Sequence, residues 1–315
     1  MIRVRPVGRL ALFLALGGTS PCHAATEEAK APDYLEWRLL NRNYFLYNDY
    51  RRADAGRFTA FKEQASSSGH GDFDGYGAST AGSAIGFAGA SLAASDNLSG
   101  SLFAAQLDNV WRQVYLNMNL QRAAFSLDGN LYRTRDQGRS RAGAIDTLAY
   151  SLQLKYRVGA QGFSLAYQRV HGDTPFDFVG GDSIYLANSI KYADFNGPGE
   201  RSWQARYDLD LAPFGLPGLS FMARYVSGRA IDGSHAPAGG AYNPLGADGR
   251  YRPLQGSGGK HWERDLDLRY LFASGPLKDL SLNVSHLSHR ANAAQAGDDI
   301  DRLYLIVEYP LKGSL

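Results

Sequence analysis

Through the body of the chain, apolar and polar residues alternate one by one. Residues 144–158 show it plainly. Leu148, Tyr150, Leu152, Leu154 and Tyr156 share one parity, and Ala149, Ser151, Gln153, Lys155 and Arg157 share the other. Consecutive side chains of a strand point to opposite faces, so this spacing predicts a strand with one apolar and one polar face. Residues 202–211 repeat it, with Trp203, Ala205, Tyr207, Leu209 and Leu211 against Gln204, Arg206, Asp208 and Asp210. Residues 219–226, 264–272 and 301–311 follow, with apolar sets such as Leu219, Phe221, Ala223 and Tyr225, or Leu303, Leu305, Val307 and Tyr309.

A soluble sandwich also alternates, and two features separate it from a membrane barrel. Aromatic residues (Tyr156, Tyr207, Tyr225, Tyr270 and Tyr309) cap the apolar faces near the predicted strand ends, as interfacial girdles do. The strands also recur at about ten residues each, joined by short turns such as 158–162 and by longer Gly-rich loops, with 229–260 as the longest. Lipid offers no hydrogen bonds, so strand edges in a membrane must pair into a closed barrel. The polar parity then lines a wet lumen, and function is sought there.

The N-terminal segment adds a destination. Arg3, Arg5 and Arg9 precede a short apolar run, Leu10–Leu16, and then Pro21-Cys22-His23-Ala24. This is the layout of a signal peptide over residues 1–24, too short to span a bilayer as a helix, with 25–315 as the barrel domain. The chain's single Cys falls in that segment, so a mature chain without Cys suits an oxidising compartment. The formal charge of +2 comes from 33 basic and 31 acidic residues, and removing the three leading arginines leaves 30 against 31. That balance gives no nucleic-acid footprint.

Several strings then identify a family. DNVWRQVYLN (108–117), LYRTRDQGRSRAGAID (131–146), FSLAYQRVHGDTPFD (163–177), GGDSIYLANSIKYADFNGPGERSWQARYDLDL (180–211) and LIVEYPL (305–311) resemble the OprD-type outer-membrane porins. The resemblance covers about 82–315, plus an N-terminal strand at 34–50. It implies an all-β, antiparallel transmembrane barrel of the cell outer membrane that passes small polar or anionic solutes such as amino acids, small peptides and carboxylates. Its partners would be outer-membrane lipid and those solutes, with the chain a monomer or loose trimer. The family pattern has 18 strands, of which about 12–14 are retained here. The first strand leads almost directly into GRFTAFKEQ (56–64), which looks like part of the family's seventh strand. The second to sixth strands, and the long inward-folded loop that narrows the family's pore, have no counterpart near residues 50–57. A fused strand at that junction would keep the count even. A vestigial barrel without transport is the alternative.

The resemblance also implies site residues. A pocket for the positive end of a solute would use Asp182, Ser189, Tyr192 and Asp194, with Tyr76 as a looser match. A basic ladder for carboxylates keeps Arg269 as one rung. Asn283, Ser285 and Tyr304 stand where relatives carry basic groups, and Arg302 is a candidate substitute. By parity, Arg224, Arg206 and Lys155 are further pore-lining cations, each open to the alternative of pairing with a lumen acid such as Asp265 or Asp267. No catalytic role is expected. Ser183 matches a family serine, but Arg57 and Asn109 replace its His and Asp partners, and a hydroxyl without a base is a poor nucleophile. His171, Asp173, His286 and His289 remain as loose His/Asp candidates. No metal spacing or cofactor fingerprint occurs, so no metal and no cofactor is expected.

Overall fold

The computed structural model describes residues 36–50, 57–63, 85–178 and 184–314. The predicted signal segment, Tyr76, Asp182 and Ser183 lie outside them. Thirteen strands are described: β1 (Glu36–Tyr50), β2 (Arg57–Glu63), β3 (Ile85–Ser95), β4 (Leu98–Leu107), β5 (Trp111–Arg122), β6 (Phe125–Asp136), β7 (Asp146–Val158), β8 (Gln161–His171), β9 (Arg201–Asp210), β10 (Leu219–Asp232), β11 (Ser257–Leu271), β12 (Ser281–Ala291) and β13 (Ile300–Ser314). They form one sheet in the order β2-β1-β13-β12-β11-β10-β9-β8-β7-β6-β5-β4-β3. Every neighbouring pair is antiparallel, so each strand from β3 to β13 pairs with the next in sequence. β1 then joins β13 over its whole length, from Glu36↔Ser314 to Tyr50↔Ile300. Among the described residues no pairing joins β2 to β3.

One expectation is corrected at the first junction. Residues 36–63 are not a fused strand. β2 folds back on β1, with Asn48 opposite Arg57 and Arg42 opposite Glu63. The intervening RRADAG is polar and ends in Gly, a composition that favours chain reversal over continued alternation.

The alternation reads out as predicted. In β7, Thr147, Ala149 and Ser151 are buried, whereas Leu152, Leu154 and Tyr156 are exposed. In β5 the exposed set is Val114, Leu116, Met118 and Leu120. Apolar residues face outward because lipid is their solvent, and the inward face is where polar groups are buried. The connections sort by length. β3–β4, β5–β6 and β7–β8 are joined by two-residue turns at one rim. Residues 137–145, 172–200, 233–256 and 292–299 rise from the opposite, long-loop rim.

Two strands are longer than their patterns suggested. β10 runs on to Asp232 and β11 begins at Ser257, so the loop between them is 233–256 and not 229–260. The connection 172–200 is longer. Tyr225 consequently lies in mid-wall, whereas Tyr207 stands level with Phe163 and Tyr156 toward the short-turn rim. The aromatic band nearer the long-loop rim is made by Tyr167, Trp203 and Trp262, with Tyr167 opposite Trp203 in register. A bulge at Ala230 (φ 65) turns Ile231 inward at the end of β10.

Candidate functional site in the lumen

Within the loop 172–200, residues 172–178 leave the wall after β8, and residues 184–200 cross the inward face before the chain returns as β9. It carries apolar side chains that find cover there. Phe176 and Leu186 pack with Tyr132, Ala149 and Val170 from the inward faces of β6, β7 and β8. Phe195 is buried and stacks on His261 at 4.1 Å between centroids. Burying these groups removes apolar surface from a water-filled lumen, which drives the loop inward.

A loop inside a barrel must also satisfy its peptide groups. On one side the inward polar residues of β6–β9 do so. The Tyr132 hydroxyl accepts from Tyr185 N at 3.1 Å, and Ser151 Oγ accepts from Ala187 N at 3.0 Å. Gln168 serves both strands of the loop. Its Oε1 accepts from Asn188 N at 2.8 Å, while its Nε2 donates to the carbonyls of Asp194 and Phe195 at 2.9 and 2.8 Å. Gln204 Nε2 donates to Ala187 O, and Asn188 Nδ2 donates to Ser202 Oγ.

On the other side the loop tip is held by β11, β12 and β13. Glu263 on β11 accepts Tyr192 N and Ala193 N with its two carboxylate oxygens, at 3.1 and 2.8 Å. Lys191 Nζ donates to Asp267 and to Ser285. The Arg302 guanidinium lies 4.5 Å from the centre of the Tyr192 ring, and the Tyr192 hydroxyl donates to Asp298 Oδ2 at 3.3 Å. The loop thus spans the inward face from β6 to β13.

A buried polar chain closes its base. Glu200 Oε2 accepts Gly197 N at 2.8 Å, and Oε1 lies 2.7 Å from His261 Nε2. His261 Nδ1 is 2.9 Å from His289 Nε2, and His289 Nδ1 is 2.7 Å from the Asp298 carbonyl. All three side chains are buried. Gly228 makes room for this chain: a Cβ there would lie 1.9 Å from Glu200 Oε1.

The basic residues expected in the lumen are all on the inward face, and four share one cross-strand line. Lys155 is opposite Ser164, Ser164 opposite Arg206, Arg206 opposite Arg224, Arg224 opposite Asp265, Asp265 opposite Leu287, and Leu287 opposite Arg302. Arg269 lies nearer the short-turn rim, where its Nε donates to Ser281 Oγ at 2.8 Å. Their surroundings differ. Arg224 donates to Asp265 Oδ2 at 2.9 and 2.5 Å, and Arg206 forks onto Asp208 at 2.6–3.1 Å. The pairing alternative therefore holds for these two. Lys155 and Arg269 form no ion pair with a described residue.

Of the expected acidic pocket, Ser189 and Asp194 meet on the loop, Ser189 Oγ donating to Asp194 Oδ1 at 2.6 Å, whereas Tyr192 is turned toward Asp298 and Arg302. Of the histidines, His289 enters the buried chain, whereas His171 and His286 fall on the outward parity of β8 and β12. Asp173 lines a cavity of about 320 Å³ at the long-loop rim, with Pro175, Tyr242 and Gln255. Lys191, Glu263, Gln168 and Glu200 are the residues that sequence reasoning missed. Lys191 lies within the highly specific 180–211 string, and the parity of Glu263 placed it inward, but no spacing connects them. Among the described residues no group of three His, Cys, Asp or Glu is placed to hold a metal.

Comparison with known proteins agrees with this architecture. The family model for outer membrane porins of the OprD family matches residues 49–313. Porin D of Pseudomonas aeruginosa is 45% identical over 274 residues, which cover 82% of this chain and 60% of that protein. The chain therefore spans about three fifths of that relative's length. A crystal structure of Pseudomonas aeruginosa OprD superposes with a TM-score of 0.72 at 33% identity, covering 89% of this chain and 95% of that one. Pseudomonas aeruginosa OpdK crystallised with vanillate superposes with a TM-score of 0.61 at 33% identity, over 73% of this chain and 57% of that one. These relatives are porins, with barrels in place of an enzyme fold.

Proposed function

We infer the role of this chain from the family to which it belongs, the OprD family of outer membrane porins, and propose that it is a solute channel whose narrowest part is framed by the loop 172–200. Its lumen prefers small solutes with a carboxylate, amino acids and short peptides among them. The observation that carries this reading is the two inward-facing cations with no ion pair to a described residue, Lys155 and Arg269, beside a loop that bears Asp194. Cations on a confined low-dielectric wall focus potential and raise the local concentration of anions. Arg224 and Arg206 are largely neutralised by Asp265 and Asp208, so Lys155 and Arg269 supply most of the preference. Ser189, Tyr192 and Asp194 offer a carboxylate, a hydroxyl and a phenol for a substrate ammonium, which together with the cations would hold a zwitterion at both ends. An aromatic carboxylate in a relative fits the same chemistry.

The test is conductance of the purified, folded chain in a planar bilayer. Discrete steps with a reversal potential favouring anions in a salt gradient are expected, and arginine or a small carboxylate should reduce the current. The chain's short span against Porin D supports a second reading, a remnant barrel. A folded protein that yields no steps would establish that one.

A further inference from the structure

The outward face of β8–β11 carries a second set of cations that the lumen does not use. Arg169 is opposite Arg201, Arg201 opposite Arg229, and Arg229 opposite Lys260. Four neighbouring strands thus place four cations side by side at one level, with Cβ atoms about 5 Å apart. The inward parity beside them is settled by burial: Gln168, Ser202, Gly228 and His261 are all buried, whereas Arg201, Arg229 and Lys260 are exposed. Like charges directly opposite each other destabilise a sheet. Nothing described relieves them. None of the four side chains makes a hydrogen bond or ion pair with a described residue, and Arg169 Nε is buried without a partner. From this row to the short-turn rim, the outward positions of β8–β11 hold no Asp or Glu. Asp232 lies past the bulge, where its carboxylate accepts from Ser234 and Ser257.

The level of the row is also fixed. Two residues toward the short-turn rim, the same strands present Tyr167, Trp203 and Trp262, with Tyr167 and Trp203 at 4.6 Å between centroids. Aromatic bands of this kind mark the boundary between hydrocarbon and headgroups. The cations sit on the water side of that band, at the long-loop rim, where longer loops face the cell exterior. Below the band the wall is dented. Ala205 and Ala223 leave a mostly apolar trough of about 530 Å³ between Leu165, Tyr207, Tyr225 and Leu266, with Arg264 also in its lining.

We propose that the row Arg169–Arg201–Arg229–Lys260 binds the phosphate groups of a phosphorylated glycolipid of the outer leaflet, with one of its acyl chains lying in the trough beneath. The row replaces the divalent cations that such phosphates otherwise need, and the phosphates remove the repulsion within the row. Arginine forks match phosphate oxygens in pairs. The alternative occupant, a second copy of this chain, would have to present a matching acidic row, and the outward faces of β8–β11 have none.

The experiment folds the chain into phosphatidylcholine vesicles containing either lipid A with two phosphates or the same lipid A dephosphorylated. Lipid retained after detergent exchange is then counted by native mass spectrometry. The parent is expected to retain the phosphorylated form and to lose the dephosphorylated one. The variant with Arg169→Gln, Arg201→Gln, Arg229→Gln and Lys260→Gln is expected to retain at least about tenfold less, since each cation near an anionic surface contributes several-fold in affinity. Its conductance is expected to match the parent's, because none of the four faces the lumen. Equal retention of both lipids by the parent overturns the proposal whether or not the variant folds. Equal retention by parent and folded variant overturns it as well, and so does a variant that changes only the oligomeric state.

Discussion

His261 and His289 meet nitrogen to nitrogen, 2.9 Å apart and buried between β11 and β12. The far end of the pair fixes its polarity. The Asp298 carbonyl can only accept, so His289 Nδ1 carries the proton there and His289 Nε2 is left to accept. His261 Nδ1 must then donate. Its Nε2 faces Glu200 Oε1 at 2.7 Å, and that contact needs one more proton, held on His261 or on Glu200. The chain is thus complete only with one shared proton at the Glu200 end. It ties the base of the loop to two strands and to the connection 292–299.

Removing His261 should therefore cost more than its packing. His261→Ala leaves Glu200 buried without its partner, a loss of about 3–5 kcal/mol where the carboxylate stays charged. Glu200→Gln keeps a donor facing His261 Nε2 and should cost about 1 kcal/mol. Unfolding in urea, followed by heat-modifiable gel migration, would rank the two. Equal losses would show that the chain needs the charge and not merely a donor.

Gly228→Ala is expected to destabilise by about 1–3 kcal/mol, because its Cβ and Glu200 Oε1 cannot occupy the same space. Gly86→Ala, with no atom within 4 Å of its Cβ, is the matched control and should be neutral. The same assay decides it.

The lumen cations should separate by partner. Lys155→Ala and Arg269→Ala should each lower anion preference at low salt with a stability change below about 1 kcal/mol, and the shift should fade once screening shortens to about 8–10 Å. Arg224→Ala uncovers the fully buried Asp265 and should cost about 3–5 kcal/mol. Reversal potentials and urea midpoints measure the two quantities separately. An Arg269→Ala channel as anion-selective as the parent at low salt would remove that residue from the ladder.

Releasing the loop tip should widen the path. Lys191→Met breaks the contacts to Asp267 and Ser285, and Glu263→Gln weakens the clamp on Tyr192 N and Ala193 N. Each should raise single-channel conductance and its noise, and the pair together more than either alone. Unchanged conductance in the double variant would mean that the tip does not set the narrowest point.

Strand identity and facing were legible in the sequence, because a period of two survives any tertiary context that keeps one face in lipid and the other in water. Leu152, Leu154 and Tyr156 needed no structure to be placed outward. Strand ends were less legible. The alternating pattern of β10 was read only over 219–226, yet Gly228 sits within the strand, where the Glu200 carboxylate occupies the space a side chain would take. The inward course of the loop was legible only through the family resemblance, which put Ser189, Tyr192 and Asp194 in the pore, and not through any local pattern. Gln168, Ser151 and Glu263 look like any lumen-facing polar residue, and what distinguishes them is the peptide groups they meet, in the case of Glu263 and Ala193 from 70 residues away. The tip Lys191 meets Ser285 across a separation of 94 residues, which no local pattern encodes.

Much of the loop is held through its main chain. Tyr132, Ser151, Gln168 and Glu263 grip the amides of residues 185, 187, 188, 192 and 193, together with the carbonyls of Asp194 and Phe195. Where the grip is main-chain only, as at Tyr185 and Ala187, it is indifferent to the side chain carried, unlike the side-chain anchors Lys191 and Asn188. Substitutions at exposed Tyr185 or at Ser189 can therefore rewrite what the opening admits while the frame around it keeps its shape. The part of the molecule that faces passing solutes is thereby the part most open to selection for a new diet.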